Sequence, residues 1–248
     1  MNRGLQLFAL LAAFWSLLGC QLTPSQLYTR LQFAPGEPQT RVLMIGDSLT
    51  YYNDLPGLLQ QFSAGESAPI YIEQKTTALW SLKNHWDMDD SKDTIRRGNF
   101  TYVVLQDFSR KPVTDPEESL RYYSLFDGEA RSTGAKTIVF ENWTRKGMDD
   151  EFGLLTSTYR RIESQTHATP APIGTAVRNC KAKHPNIPML VDDRHPTKEA
   201  SYLAACVLYD AIYRKKSSNL PLTLPGPKIT QDTMKVLRAI ADETMGMP

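Results

Sequence analysis

The sequence predicts an α/β fold, a central parallel sheet of about five strands covered on both faces by helices in a three-layer α/β/α sandwich. Three observations lead there. Short apolar runs alternate with longer segments of helical periodicity, the pattern of βα units. The runs, such as Val42-Leu43-Met44-Ile45 and Tyr102-Val103-Val104-Leu105, are apolar throughout, as in strands buried on both faces. With 248 residues, 41% of them hydrophobic, the chain can bury a sizeable core.

Taken in order, the first strand is expected at 42–45 and a helix at 55–64, then a strand at 70–73 and a helix at 82–89. A third strand follows at 102–105, a helix at 117–133, a fourth strand at 137–140 and a helix at 151–165. The apolar run 189–191 supplies the fifth strand. A helix over 198–215 follows it, with Thr197 as cap after Pro196 and Glu199 in its first turn. A Pro-rich link over 221–227 leads to a last helix at 231–244.

The segment ahead of these elements is of another kind. Asn2-Arg3 gives a positive start, residues 5–18 are almost unbroken apolar, and Leu17-Leu18-Gly19 precedes Cys20. The run is short for a membrane span. The pattern resembles the lipobox of bacterial lipoproteins, which implies a signal peptide over 1–19, a lipid on the Cys20 sulfur and membrane tethering. Gln21 is not the aspartate that marks inner-membrane retention, so the outer membrane, facing the periplasm, is the expected address. Residues 20–39, with Pro24, Pro35, Gly36 and Pro38, read as a tether, and the domain as 40–248.

Charge excludes one class of partner. Lys and Arg number 28 against 27 Asp and Glu, for a net charge of +1, and basic runs are as short as Arg214-Lys215-Lys216. Nucleic acid is therefore not an expected partner. Apart from Cys20 the cysteines are Cys180 and Cys206; the compartment permits a disulfide, while Cys206 sits on an apolar helix face that suits a buried thiol. No CxxC pair or His/Cys cluster has ligand spacing, so no metal is expected.

In an open parallel sheet, ligands gather outside the carboxyl ends of the strands. There the sequence places Gly46-Asp47-Ser48, Gln106-Asp107-Phe108-Ser109, Glu141-Asn142-Trp143 and Asp192-Asp193-Arg194-His195. A hydroxyl at a strand-to-helix turn and a carboxylate three residues before a histidine are the parts of a hydrolytic triad.

These residues carry a family resemblance. Ile45-Gly46-Asp47-Ser48-Leu49 and Asp192-x-x-His195-Pro196 resemble the first and last blocks of the SGNH/GDSL hydrolase superfamily. The likeness extends through Tyr51-Tyr52-Asn53-Asp54-Leu55-Pro56, Leu82-Lys83-Asn84-His85-Trp86, Val103-Val104-Leu105-Gln106 and Ser201-Tyr202-Leu203-Ala204-Ala205. It implies a flavodoxin-like sandwich and ester hydrolysis without metal or organic cofactor. It assigns Ser48 as nucleophile, His195 as base and Asp192 as the carboxylate that orients the ring; Asp193 is the competitor that the family spacing disfavours. For the oxyanion hole it points to the backbone N–H groups of Ser48 and of Leu79, which stands where the family has glycine, and to Gln106, which stands where the family has asparagine. His85 reads as a packing or anchoring residue. Trp80 and Trp143 could stack on a sugar ring or serve the core.

The expected activity is that of an envelope-tethered serine esterase or deacylase, acting through an acyl-enzyme on a small-molecule or glycan ester. The same triad would serve an O-acyltransferase on envelope glycans, and loss of efficient chemistry would leave a glycan-binding protein.

Overall fold

The computed structural model describes residues 30–37, 39–222 and 228–247. The expected signal peptide, Cys20 and the first part of the expected tether lie outside them. From Arg30 onward the segment before the sheet is docked, since Arg30 pairs with Asp54 and the Phe33 ring packs edge-on to Tyr71 at 6.2 Å.

Five parallel strands stand in the order β2-β1-β3-β4-β5. The first apolar run forms β1 (Thr40–Gly46), followed by a one-turn helix α1 (Ser48–Tyr51) and by α2 (Leu55–Phe62). Then come β2 (Ile70–Thr76), α3 (Leu82–Met88), α4 (Ser91–Arg97) and β3 (Tyr102–Leu105). A short α5 (Lys111–Thr114) leads into α6 (Pro116–Ser132), β4 (Lys136–Phe140) and α7 (Phe152–Gln165). The chain closes with β5 (Thr169–Ala171), α8 (Ile173–Lys183), α9 (Lys198–Tyr213) and α10 (Gln231–Thr244).

Strand alternation divides the core between the two faces of the sheet. Val42, Met44, Val104, Ile138 and Phe140 point to a cluster with α2, α8, α9 and α10. Leu43, Ile45, Val103, Leu105 and Val139 point to the other, with α3, α4, α6 and α7. Every one of these side chains is essentially removed from water, so the sandwich is held chiefly by apolar burial on both sides.

The fifth strand is not where the sequence places it. β5 is three residues long, contains Pro170 and pairs only with β4, a site at the sheet edge where proline is tolerated and periodicity too short to read. The run 189–191 instead contributes an isolated antiparallel bridge between Leu190 and Pro196. Besides the one-turn α1 and α5, two longer helices lie outside the sequence reading. α4 buries one apolar side chain, Ile95, and carries no stripe, whereas α8 does show one in Ile173, Ala176, Val177 and Cys180. Cys180 and Cys206 are both buried free thiols.

Candidate active site

The nucleophile position is built by the end of β1. The chain passes from β1 to β2 on one side and later crosses to β3 on the other, so the carboxyl ends of β1 and β3 form a topological switch point. Asp47 caps α1, its Oδ1 accepting the Leu49 N–H at 2.9 Å, and Ser48 is the first residue of that helix. The turn requires glycine before it: a Cβ on Gly46 would fall 2.4 Å from Thr50 Oγ1 and 2.5 Å from Gln106 Oε1. Burial pushes the Asp47 carboxyl up to about 6, against the bonds from Leu49 N–H and Gln106 that favour its charge.

The expected base, His195, is carried by a loop that folds back on itself. Val191 N–H donates to His195 O at 2.9 Å and Thr197 N–H to Met189 O at 3.1 Å, closing the turn. Within it, Asp192 Oδ1 accepts the N–H groups of Arg194 at 2.8 Å and His195 at 2.7 Å, while Oδ2 lies 2.7 Å from His195 Nδ1. The other ring nitrogen, Nε2, is 3.2 Å from Ser48 Oγ. Partial desolvation would raise the Asp192 carboxyl, but the two backbone donors and the imidazole outweigh it and hold the group well below the usual carboxylate range. Asp193 takes no part in this chain. Its Oδ2 faces Arg145 Nη1 at 3.5 Å, and its carbonyl accepts the Lys146 N–H at 2.8 Å.

Of the three expected oxyanion donors, two are open. Among the described residues the N–H groups of Ser48 and Leu79 have no hydrogen-bond partner. Leu79 stands in a tight turn, where Thr77 N–H donates to Gly46 O at 3.1 Å and Trp80 N–H to Thr77 O at 3.2 Å. Its φ is +67°, in the left-handed region that glycine adopts freely and leucine does not. Gln106 has a different place from the expected one. It is wholly buried, with Oε1 accepting the Asp47 N–H at 2.7 Å and the Thr50 hydroxyl at 2.9 Å, and with Nε2 turned to Asp107 O and Asn142 Oδ1. Its amide thus supports the turn under Ser48, and its donor hydrogens point into the protein. Asn142, also buried, donates to Asp107 O and Ser109 O at 2.8 and 3.1 Å and ties the ends of β3 and β4 together.

Neither a family model nor a curated protein matches the sequence. Solved structures do. A protein from Slackia heliotrinireducens described as an SGNH hydrolase candidate is similar with a TM-score of 0.60 at 20% identity, over 70% of this chain and 99% of that one. A DUF4886 family protein from Bacteroides uniformis gives a TM-score of 0.69 at 14% identity, over 85% and 96%. Axe2, an acetyl-xylooligosaccharide esterase from Geobacillus stearothermophilus, gives 0.55 at 14%, over 74% and 95%. The chain has the SGNH-hydrolase fold.

Within this SGNH fold the two tryptophans differ. Trp143 is only 4% exposed and donates from Nε1 to Arg194 O at 2.9 Å, which makes it a brace for the loop of His195 instead of a sugar platform. Trp80 remains partly exposed, its ring edge-on to His85 at 5.1 Å. His85 is buried, with Nε2 bonded to Gly46 O at 3.0 Å and Nδ1 to Asp89 at 2.7 Å, so it anchors α3 to the end of β1. Asp107 anchors the same helix by accepting Leu82 N–H at 2.9 Å and ties α6 to it by accepting the Ser119 hydroxyl at 2.6 Å; burial raises its carboxyl above the ordinary range.

Residues the sequence reading left without a role also meet here. Tyr52 stacks on the His195 ring, with centroids 4.8 Å apart and planes 13° from parallel. Asn53 reaches the backbone just beyond His195. Arg145 joins Asp193 to the Ser109 hydroxyl, 3.0 Å from its Nη2. For Asn53 the sequence does hold a signal, Asn53-Asp54, the residue types that best tolerate left-handed backbone.

Proposed function

We propose that the chain is a serine ester hydrolase acting through an acyl-enzyme on Ser48. The observation that carries this reading is the unbroken line from Asp192 Oδ2 through both nitrogens of His195 to Ser48 Oγ, with contacts of 2.7 and 3.2 Å. The longer contact is within the range of a triad awaiting substrate.

In this mechanism Ser48 Oγ bonds to the ester carbonyl carbon as its proton passes to His195 Nε2. The carbonyl electron pair moves onto oxygen, where the N–H groups of Ser48 and Leu79 can receive it. Collapse breaks the bond to the alcohol oxygen, which takes the proton back from Nε2 and leaves. Water then repeats the cycle: it attacks the acyl carbon, His195 takes its proton, and Ser48 departs with that proton restored. Asp192 stays ionised throughout and holds the imidazole with Nδ1 toward it.

The rim supports one substrate class. Two of the exposed large apolar side chains, Leu79 and Val191, belong to the loops that carry the oxyanion turn and the base, which suits the acyl portion of an ester. The likeness to an acetyl-xylooligosaccharide esterase supports an O-acylated glycan or a small ester as the substrate. The leader and Cys20 support a place in the bacterial envelope, lipid-anchored and on the periplasmic face of the outer membrane.

A fluorophosphonate probe tests the reading. It should label the chain once, on Ser48, and leave Ser48→Ala unlabelled; labelling that survives in the variant, or a folded chain that never labels, would remove it.

A further inference from the structure

We propose that Tyr52 and Asn53 form a strap that positions His195 for proton transfer, with Tyr52 as the plate behind the imidazole and Asn53 as the clamp on its loop. The inference rests on the triad reading above. During a cycle the ring gains and loses a charge while Nε2 must remain aimed at one oxygen, and a small displacement costs much of the rate. The loop that carries it is exposed, with Val191 at 58%. Something outside the loop has to fix the ring plane.

Tyr52 is placed to do so. The residue caps the C-terminal end of α1, and its N–H donates to Ser48 O, so one turn of backbone carries both the nucleophile and the ring that covers the base. The near-parallel stack, 4.8 Å between centroids, leaves both imidazole nitrogens free in the ring plane to meet Asp192 and Ser48. An aromatic face also attracts the imidazolium that forms during reaction.

Asn53 holds the same loop by its backbone. Its Nδ2 faces Pro196 O and Thr197 O, both at 3.0 Å, and Ser201 Oγ at 2.9 Å. To reach them the chain takes two successive left-handed residues, Asn53 and Asp54, each with φ +53°. Such backbone persists where the surroundings over-determine it, and it clusters at working sites. The surroundings are present. Asp54 caps α2 through Gly57 N–H and pairs with Arg30, fixing the far end of the strap. Ser201 closes it from the other side, its hydroxyl 3.5 Å from Tyr52 O.

The test is steady-state kinetics on p-nitrophenyl acetate for Tyr52→Phe, Tyr52→Leu and Asn53→Ala, with fluorophosphonate labelling rates alongside. Tyr52→Leu should lower kcat by roughly 10- to 100-fold, as expected for a misplaced catalytic group, with KM unchanged and labelling slowed in parallel. Tyr52→Phe, which keeps the ring, should restore wild-type kcat. Asn53→Ala should lower kcat in the same way, and it carries the test if Tyr52→Leu does not fold. Wild-type kcat in folded Tyr52→Leu or Asn53→Ala, or a loss confined to KM, would overturn the strap while leaving the triad intact. Turnover that survives Ser48→Ala would instead overturn the triad reading itself.

Discussion

Asp193 faces Arg145 across 3.5 Å, although it adjoins the carboxylate that meets His195. The two neighbouring aspartates therefore divide their contacts: Asp192, the orienting carboxylate of the proposed triad, meets His195, and Asp193 ties the loop to the segment after β4. Asp192→Asn should lower kcat by about three to four orders of magnitude, the scale on which a triad loses its tautomer control. Asp193→Asn should stay within about tenfold, because a partly exposed ion pair contributes little. Rates for the two variants on one ester decide the assignment, and a larger loss in Asp193→Asn would reverse it.

Gln106 gives a stability prediction where a resemblance alone would give a kinetic one. Gln106→Leu leaves the buried Asp47 N–H and Thr50 hydroxyl without their acceptor, which should cost about 1–3 kcal/mol. Thermal unfolding should show it as a clear drop in Tm, with activity falling because the turn under Ser48 shifts. A variant with unchanged Tm and a hundredfold lower kcat would mark a true oxyanion donor.

Leu79 tests the left-handed turn. Its φ of +67° disfavours any side chain and most of all a β-branched one. Leu79→Gly should keep the stability within about 1 kcal/mol, since relief of strain opposes the greater freedom of glycine when unfolded. Leu79→Val should lose about 1–2 kcal/mol or more and carry turnover down with it. Denaturant midpoints for the pair check both signs.

Much of this architecture is legible in the sequence. The three central strands, β1, β3 and β4, declare themselves because they are buried on both faces, and Gly46-Asp47-Ser48 is legible because only glycine fits beneath Thr50 and Gln106. The spacing of Asp192 and His195 is likewise readable, as a carboxylate folding back onto a ring three residues on. The edge strand β5 is hidden by its length and by Pro170. The roles of Gln106 and Trp143 are hidden for another reason: residue type tells what a side chain can donate, and only the neighbouring strand ends tell where those donors point. Tyr52 and Arg145 act across loops, a relation that no local pattern carries.

Glu141 gives a pH prediction. Burial pushes its carboxyl up to about 7, against the favourable bonds from Thr175 N–H at 2.8 Å and the Thr175 hydroxyl at 3.2 Å. The folded state therefore holds a proton that the unfolded chain releases near its ordinary value of about 4.3. Stability should fall as pH rises from about 4 to 7 and level off above that. Glu141→Gln keeps the acceptor for Thr175 N–H and removes the ionisation, so it should gain on the order of 1–3 kcal/mol at pH 8 and little at pH 4. Unfolding curves at the two pH values measure the difference; equal gains at both, or none at pH 8, would contradict it.

The most direct measurement is hydrolysis of p-nitrophenyl acetate by the full chain beside Ser48→Ala, with folding of both verified by circular dichroism. The triad predicts turnover in the first and its loss, to the uncatalysed rate, in the second. Equal turnover in the two proteins, or none in a folded wild type, would contradict the claim that Ser48, His195 and Asp192 form a working catalytic site.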